Sequence, residues 1–398
     1  MIEPLLLIVA LAAPQAAPSD SLRLSDALSF GRAHRGSVLS ARATVDEARA
    51  AVSETRSLPN PTGTVKWDQS APRRAVGVSQ SFDWLFRRGG QVGAARAGVD
   101  RAGAALSGSE RDLDREVRRA FFGSLAASRV LELATAQAGV ADSLERIAAR
   151  RLAAGDIPEA EHDRLRLERA LAQQTLSRAR AEGANASFAL ERAIGWPGTT
   201  PLPALAGTLA DELDTPAAPA PTVDDLPSVR SAVADSTAAA AIAGSLSLGR
   251  IPLPTVEVAR QWDDPAEPGR TLWLVGASMP IPLFNRGGAP VTGARARLRA
   301  ATAALLEVRL AAREEIARAA IQLSETRTRA HFASDSLLPG AAQLRVRAAR
   351  AYALGETGIL PLLEALRTER EVVAASLDDL LAYQEALATW HSLTGSPE

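Results

Sequence analysis

Two clusters of acidic residues stand beside glycines at matching places in the chain. Asp156, Glu159, Glu161 and Asp163 follow Gly155, and Glu356 and Glu364 follow Gly355. Carboxylates at this density have two uses. They gather cations where an ion must pass close to them, or they occupy the first turn of a helix, where the backbone dipole favours negative charge. Catalysis is not among the readings. The acidic pairs Asp224-Asp225, Asp263-Asp264, Glu314-Glu315 and Asp378-Asp379 come with no base, nucleophile or metal partner. His34, His162, His331 and His391 are scattered, with no two at metal-ligand spacing. Gly89-Gly90-Gln91-Val92-Gly93 lacks the lysine and the Ser/Thr of a phosphate loop. The expectation is no enzyme, no cofactor and no metal centre.

Composition narrows the field further. The net charge of −1 gives no basic field for nucleic acid. Cysteine is absent, which removes disulfides, thiolate sites and a lipidated N-terminal cysteine. An apolar run over 5–13 precedes Ala- and Pro-rich sequence. It is too short to span a bilayer as a helix. It reads as a secretory leader cleaved after Ala12 or a few residues later, although no Lys or Arg precedes it, and a disordered N-terminus is the other reading.

The acids need elements to hold them, and those elements occur twice. Leu85-Phe86-Arg87-Arg88-Gly89-Gly90 returns as Leu283-Phe284-Asn285-Arg286-Gly287-Gly288. Each join follows alternating apolar and polar residues and precedes a long Ala/Arg/Leu-rich run. Period-two patterning predicts strands over 62–69, 75–84, 254–262 and 271–281. Val65 and Trp67 share one strand face, as do Val76, Val78, Phe82 and Trp84, and Val256, Val258 and Trp262. Helices are predicted over 25–57, 90–152, from the Gly155 turn to 194, 223–248, 286–354 and 359–393. The helix over 90–152 would be about 90–100 Å long, more than a globular domain accommodates. Asp156 and Glu159 suggest a capping box, with Pro158 in the first turn. Leu366, Val373, Leu380 and Leu387 fall seven apart, a coiled-coil seam. Gly89, Gly90, Gly287 and Gly288 read as flexible strand-to-helix joints.

The predicted organisation is a leader over 1–20, a first repeat over 21–200, a Pro/Ala-rich linker over 201–222 that could form a small girdle, and a second repeat over 223–398. Two strand pairs cannot satisfy a sheet's edges alone, so more strands must come from other copies of the chain. In lipid only a closed barrel satisfies them.

The order, spacing and duplication of these elements resemble the TolC-type outer membrane efflux family, in a short form like its metal-efflux branch. The resemblance rests on Pro59-Asn60-Pro61, the two Leu-Phe-x-Arg-Gly-Gly joins, the run Pro280-Ile281-Pro282-Leu283-Phe284 and the two glycine turns. It implies a mainly α fold with a membrane β-barrel. Three copies would close twelve strands in the outer membrane, and long helical hairpins would continue the barrel as a periplasmic tunnel. The protein would be the passive duct of a tripartite efflux or type I secretion system. It would meet outer-membrane lipid, a periplasmic adaptor and an inner-membrane pump of RND or ABC type. Gly155, Asp156, Gly355 and Glu356 would form the docking tip; Asp163 and Glu364 would line the entrance, with Arg367 as an ion-pair partner that holds it shut. The competing reading is a structural coiled-coil protein of the envelope without a pore.

Overall fold

The computed structural model describes residues 21–67, 74–262, 269–284, 287–354 and 356–395. The predicted leader, the Asp263-Asp264 pair, Arg286 and Gly355 lie outside the described residues. In chain order the elements are β1 (Ser21–Leu22), α1 (Leu24–His34), α2 (Gly36–Arg56), β2 (Thr62–Trp67), β3 (Arg74–Ser81), α3 (Arg88–Ala153) and α4 (Glu159–Ile194). Then follow β4 (Ala204–Leu205), α5 (Pro227–Leu248), β5 (Thr255–Trp262), β6 (Leu272–Ser278), α6 (Gly288–Phe332), α7 (Leu338–Ala353) and α8 (Ile359–Thr394).

The chain packs as two compact units, and each draws on both sequence repeats. One unit takes residues up to Arg35, then Asp114–Pro216 and Ser324–Ala388. Its core holds Phe121 and Phe122, whose rings meet edge to face at 5.5 Å, with Leu190, Ile194 and Tyr383 fully buried. Leu380 and Leu387 of the predicted seam are buried here. α1 is tied to α3 by Arg32, which grips Asp114 through two hydrogen bonds of 2.9 and 2.6 Å. The linker belongs partly to this unit and is not slack. β4 pairs in parallel with β1, and α8 donates to linker carbonyls from Tyr383 and Gln384.

The other unit takes Gly36–Leu113, Ala217–Leu323 and the C-terminal residues from Thr389. On α2 the buried residues are Val38, Val45 and Val52, seven apart. The unit's other buried residues include Ala97 and Ala104 on α3 and Ala312 and Ala319 on α6. This unit also carries a four-stranded antiparallel sheet in the order β2-β3-β5-β6.

The strand predicted to 281 stops at Ser278, and four further expectations depart from the structure. The helix predicted over 25–57 breaks at Arg35, whose extended backbone (φ −73°, ψ 123°) lets its guanidinium reach Glu116 at 3.0 Å and the Arg192 carbonyl at 3.0 Å. The strand predicted to 84 stops at Ser81. There the Trp84 indole folds back to donate to the Ser81 carbonyl (2.9 Å), and Leu85 N–H bonds Phe82 O (3.0 Å). The helix predicted over 286–354 widens into a π-helical turn at Ala333–Leu337. Pro339 causes it, because proline has no N–H to donate and its ring crowds the carbonyl four residues back. The capping box at Asp156 and Glu159 is not formed. The N-cap of α4 is Pro158, with no side-chain cap bond, and Glu161 N–H bonds the Pro158 carbonyl at 3.0 Å.

Candidate functional site

The turn end is built from the α3–α4 and α7–α8 hairpins. Helix α3 closes with Asp156 N–H on the Arg151 carbonyl (2.9 Å) and Gly155 N–H on Leu152 (2.9 Å), and Gly155 takes φ +78°. This is the six-to-one and five-to-two pattern of a left-handed C-terminal cap, which glycine adopts without steric cost. The second hairpin repeats the outer bond, with Glu356 N–H on the Ala351 carbonyl at 2.9 Å. Beneath the turns Ala148 and Leu165 of the first hairpin bury against Ile359 and Leu362 of the second, with Ile157 and Leu366 packed beside them.

Charges lock this apolar plug. Glu168 on α4 accepts from Arg370 (3.1 Å) and Arg367 (3.5 Å) on α8, and its side chain is only 12% exposed. So Arg367 pairs within the chain with Glu168, a residue the sequence did not single out, rather than with Asp163 or Glu364. Asp163 lies 3.9 Å from Arg166, one turn along its own helix, and Asp156, Asp163, Glu356 and Glu364 are all exposed. Across the first hairpin Glu145 meets His162 at 3.3 Å, and Arg169 meets Asp142 at 2.7 Å and Glu145 at 3.8 Å. Across the second, Arg345 meets Glu369 at 2.8 Å. The signal that finds these pairs is the 200-residue offset. Positions 145 and 345, and 169 and 369, carry opposite charges, so each hairpin keeps a pair with the signs exchanged. Among the described residues no group of three or more acids and histidines is placed to hold a metal.

The joints at the other end of the long helices differ from one another. Gly89 and Gly90 lie within α3. A Cβ at Gly90 would stand 2.3 Å from Ser245 Cβ and 2.5 Å from the Ala241 carbonyl, so glycine is what lets α3 and α5 touch. Gly287 instead takes φ +67°, and Gly288 begins α6.

The sheet has two unlike faces. Register places Gly63, Val78, Val258 and Val275 in one row and Val65, Val76, Arg260 and Trp273 in the next. Trp67, Arg74 and Trp262 form the row nearest the strand-joining loops. These valines and Trp67 are exposed, Trp67 by 77% and Val275 by 72%. The opposite face carries Ala75, Gly77 and Ala259, all buried, where a Cβ at Gly77 would lie 2.9 Å from Ala259 Cβ. The outer edges of β2 and β6 have no partner strand among the described residues of the chain. An apolar face with open edges on both sides is a barrel segment waiting for neighbours. No described helix is long and apolar enough to cross a membrane.

Long helical hairpins on one chain with a four-stranded open-edged sheet are also the fold of known outer membrane channel structures. The fold matches that of CusC, the subject of crystal structures on folding and transmembrane channel formation, at TM-score 0.77 and 18% identity, covering 94% of this chain and 92% of that one. The open-state outer membrane channel MtrE of Neisseria gonorrhoeae matches at TM-score 0.74 and 19% identity, covering 94% and 89%. The outer membrane efflux protein model matches residues 225–396. Over 355 residues it is 26% identical to the cobalt-zinc-cadmium resistance protein CzcC of Cupriavidus metallidurans, covering 87% of this chain and 84% of the relative.

Proposed function

We propose that the chain is the outer-membrane duct of a tripartite efflux system and that its cargo is divalent transition-metal cations. Three copies close one twelve-stranded barrel, joining β2 of one to β6 of the next, and so satisfy every open edge. The duct does no chemistry; an adaptor and an inner-membrane pump supply direction and energy. The observation that carries the reading is the open-edged sheet with one apolar face, on the same chain as a long helical hairpin that turns at Gly155. The cargo reading rests on similarity to the cobalt-zinc-cadmium resistance protein and on the exposed acids around the turns. Asp156, Asp163, Glu356 and Glu364, repeated three times around an axis, make a cation-favouring entrance. Gly155 and Gly355, with Asp156 and Glu356, make the tip where the adaptor docks.

Planar-bilayer recordings on the purified protein test this. The expected result is a cation-preferring trimeric channel whose preference falls in Asp163→Asn with Glu364→Gln. Unchanged selectivity would leave those acids as solvated helix surface. A bulky residue at both Gly155 and Gly355 should abolish export with the trimer intact. Export that persists, or loss of the trimer instead, would count against docking there.

A further inference from the structure

The loop end of the sheet carries a feature that a passive duct does not need. On the apolar face, the row of Val78 and Val258 is free of charge. One row nearer the loops, Arg260 stands between Val76 and Trp273. In the last row Arg74 stands between Trp67 and Trp262. Among the described strand residues of this face there is no carboxylate. Arg260, Trp262 and Trp273 line an open groove of about 830 Å³, floored by Val76, Val78 and Val258 and bordered by Arg270.

Arginine on a lipid-facing row is costly at mid-depth and nearly free at the interface. It is retained most easily where it can lie along apolar surface and present its guanidinium to an anion. Tryptophan at the same level marks the membrane boundary. The other ends of β3 and β5 lead to helices, so this rim lies at the end of the sheet remote from them. With the helices on the periplasmic side, the rim faces the outer leaflet.

We propose that this groove binds a phosphorylated, multiply acylated lipid of the outer leaflet. The acyl chains lie on Val76, Val78 and Val258, the two tryptophans flank the headgroup boundary, and Arg260 holds a phosphate. Valine and tryptophan select an amphiphile over a free anion; arginine selects a phosphorylated lipid over a zwitterionic one. The proposal rests on the outer-membrane reading of the sheet but not on the cargo or on docking.

Native mass spectrometry of the detergent-solubilised full chain, titrated with diphosphoryl lipid A and with its dephosphorylated form, tests it. The diphosphoryl form should bind at least about tenfold more tightly, and Arg260→Gln should erase about tenfold of that preference, the scale of one charged hydrogen bond. Equal binding of the two lipids by the unmodified protein would overturn the proposal, whether or not the variants assemble. So would full displacement of the lipid by excess inorganic phosphate, which would make this a free-anion site. Bilayer conductance of Arg260→Gln should stay unchanged. Loss of lipid discrimination with conductance intact therefore concerns the groove, and loss of conductance in the unmodified protein concerns the channel.

Discussion

Helices α4 and α8 are both 36 residues long and begin 200 positions apart. Both end at a left-handed glycine, Gly195 with φ +72° and Gly395 with φ +67°. Their C-terminal halves nevertheless do different work. Where α4 has Gly183, Ala184 and Leu190, α8 has Tyr383, Gln384 and Trp390. The Tyr383 hydroxyl donates to the Glu212 carbonyl (2.9 Å), Gln384 to Leu209 (3.0 Å) and Asp211 (2.8 Å), and the Trp390 indole to Ala218 (2.9 Å). Every one of those acceptors lies in the linker that joins the repeats. A linker's carbonyls need donors once they are covered, and one copy of the helix acquired them. The helix that precedes the linker kept small or purely apolar residues at the same positions. Duplication preserved the backbone signals, which are the turn glycines and the helix lengths. It altered side chains where the neighbours of the two copies differ.

The sharpest way to break this comparison is to exchange backbone signals between copies. Pro339 has Gly139 as its first-repeat counterpart, 200 positions earlier, in the uninterrupted α3. Proline is tolerated at 339 because the π-helical turn before it reroutes Leu338 N–H to the Ala333 carbonyl. At 139 no such turn exists. Gly139→Pro should cost about 3 kcal/mol or more, read as a large fall in the thermal midpoint. Pro339→Ala should change stability by less than about 1 kcal/mol. Similar losses in both variants would mean that the π turn does not accommodate the proline.

Next in size is the clamp on the linker. Gln384 is almost fully buried, and Gln384→Leu strands two carbonyls at a cost of about 2 kcal/mol. Tyr383→Phe should cost about 1 kcal/mol and should also remove a pH dependence. Burial pushes the Tyr383 hydroxyl above the usual phenol range; Arg327 opposes this, and Glu212 and Asp214 reinforce it. Because the folded state prefers the neutral form, that stabilisation is present below about pH 10 and is lost as pH rises through the elevated value. Urea melts at mildly and strongly alkaline pH should show a drop in the unmodified protein that Tyr383→Phe lacks. An identical drop in both would trace it to other groups.

Residues whose effect is local were legible in the sequence. Alternation located all four strands of the larger sheet, because a half-buried strand cannot hide its period, while the two-residue pair β1-β4 is too short to show one. Gly155 located the first turn, because a reversal at a helix end needs positive φ. What was missed depends on contacts between distant segments. Arg35 breaks a helix to reach Glu116, and Gly90 is required by Ser245, 155 positions further on. The linker read as a Pro/Ala-rich segment that could form a small girdle, but what anchors it was not legible, because its hydrogen-bond donors lie on α8. At the turn end, Arg367 was noticed but its partner Glu168 was not, since nothing local distinguishes Glu168 from any solvated acid on a helix face.

Smaller effects should follow the reversed ion pairs. Exchanging signs in the second hairpin (Arg345→Glu with Glu369→Arg) replaces one pair by its mirror and should change stability by less than about 0.5 kcal/mol, as expected for a partly exposed pair. The same exchange in the first hairpin (Glu145→Arg with Arg169→Glu) should cost about 1 kcal/mol, because Glu145 also meets His162 and Arg169 also meets Asp142. Equal responses would mean that the two hairpins tolerate either polarity and that the first hairpin's larger network adds nothing.

The smallest change is the most informative about assembly. Gly183 sits in the interior of α4, where glycine is about 0.5–1 kcal/mol worse than alanine because the unfolded chain has more freedom to lose. A Cβ there would lie 3.8 Å from Leu131 Cδ2, an ordinary contact, so within one chain Gly183→Ala should be a gain of that size. The counterpart position cannot be treated in the same way. Tyr383→Gly would remove a buried ring and its hydrogen bond together. Thermal melting of the assembled protein therefore separates two reasons for the glycine. A midpoint that rises says that position 183 is glycine only because nothing required more. A midpoint that falls says that a neighbouring copy packs against that face of α4 more closely than Leu131 does. The difference between α4 and α8 would then reflect two interfaces rather than one linker.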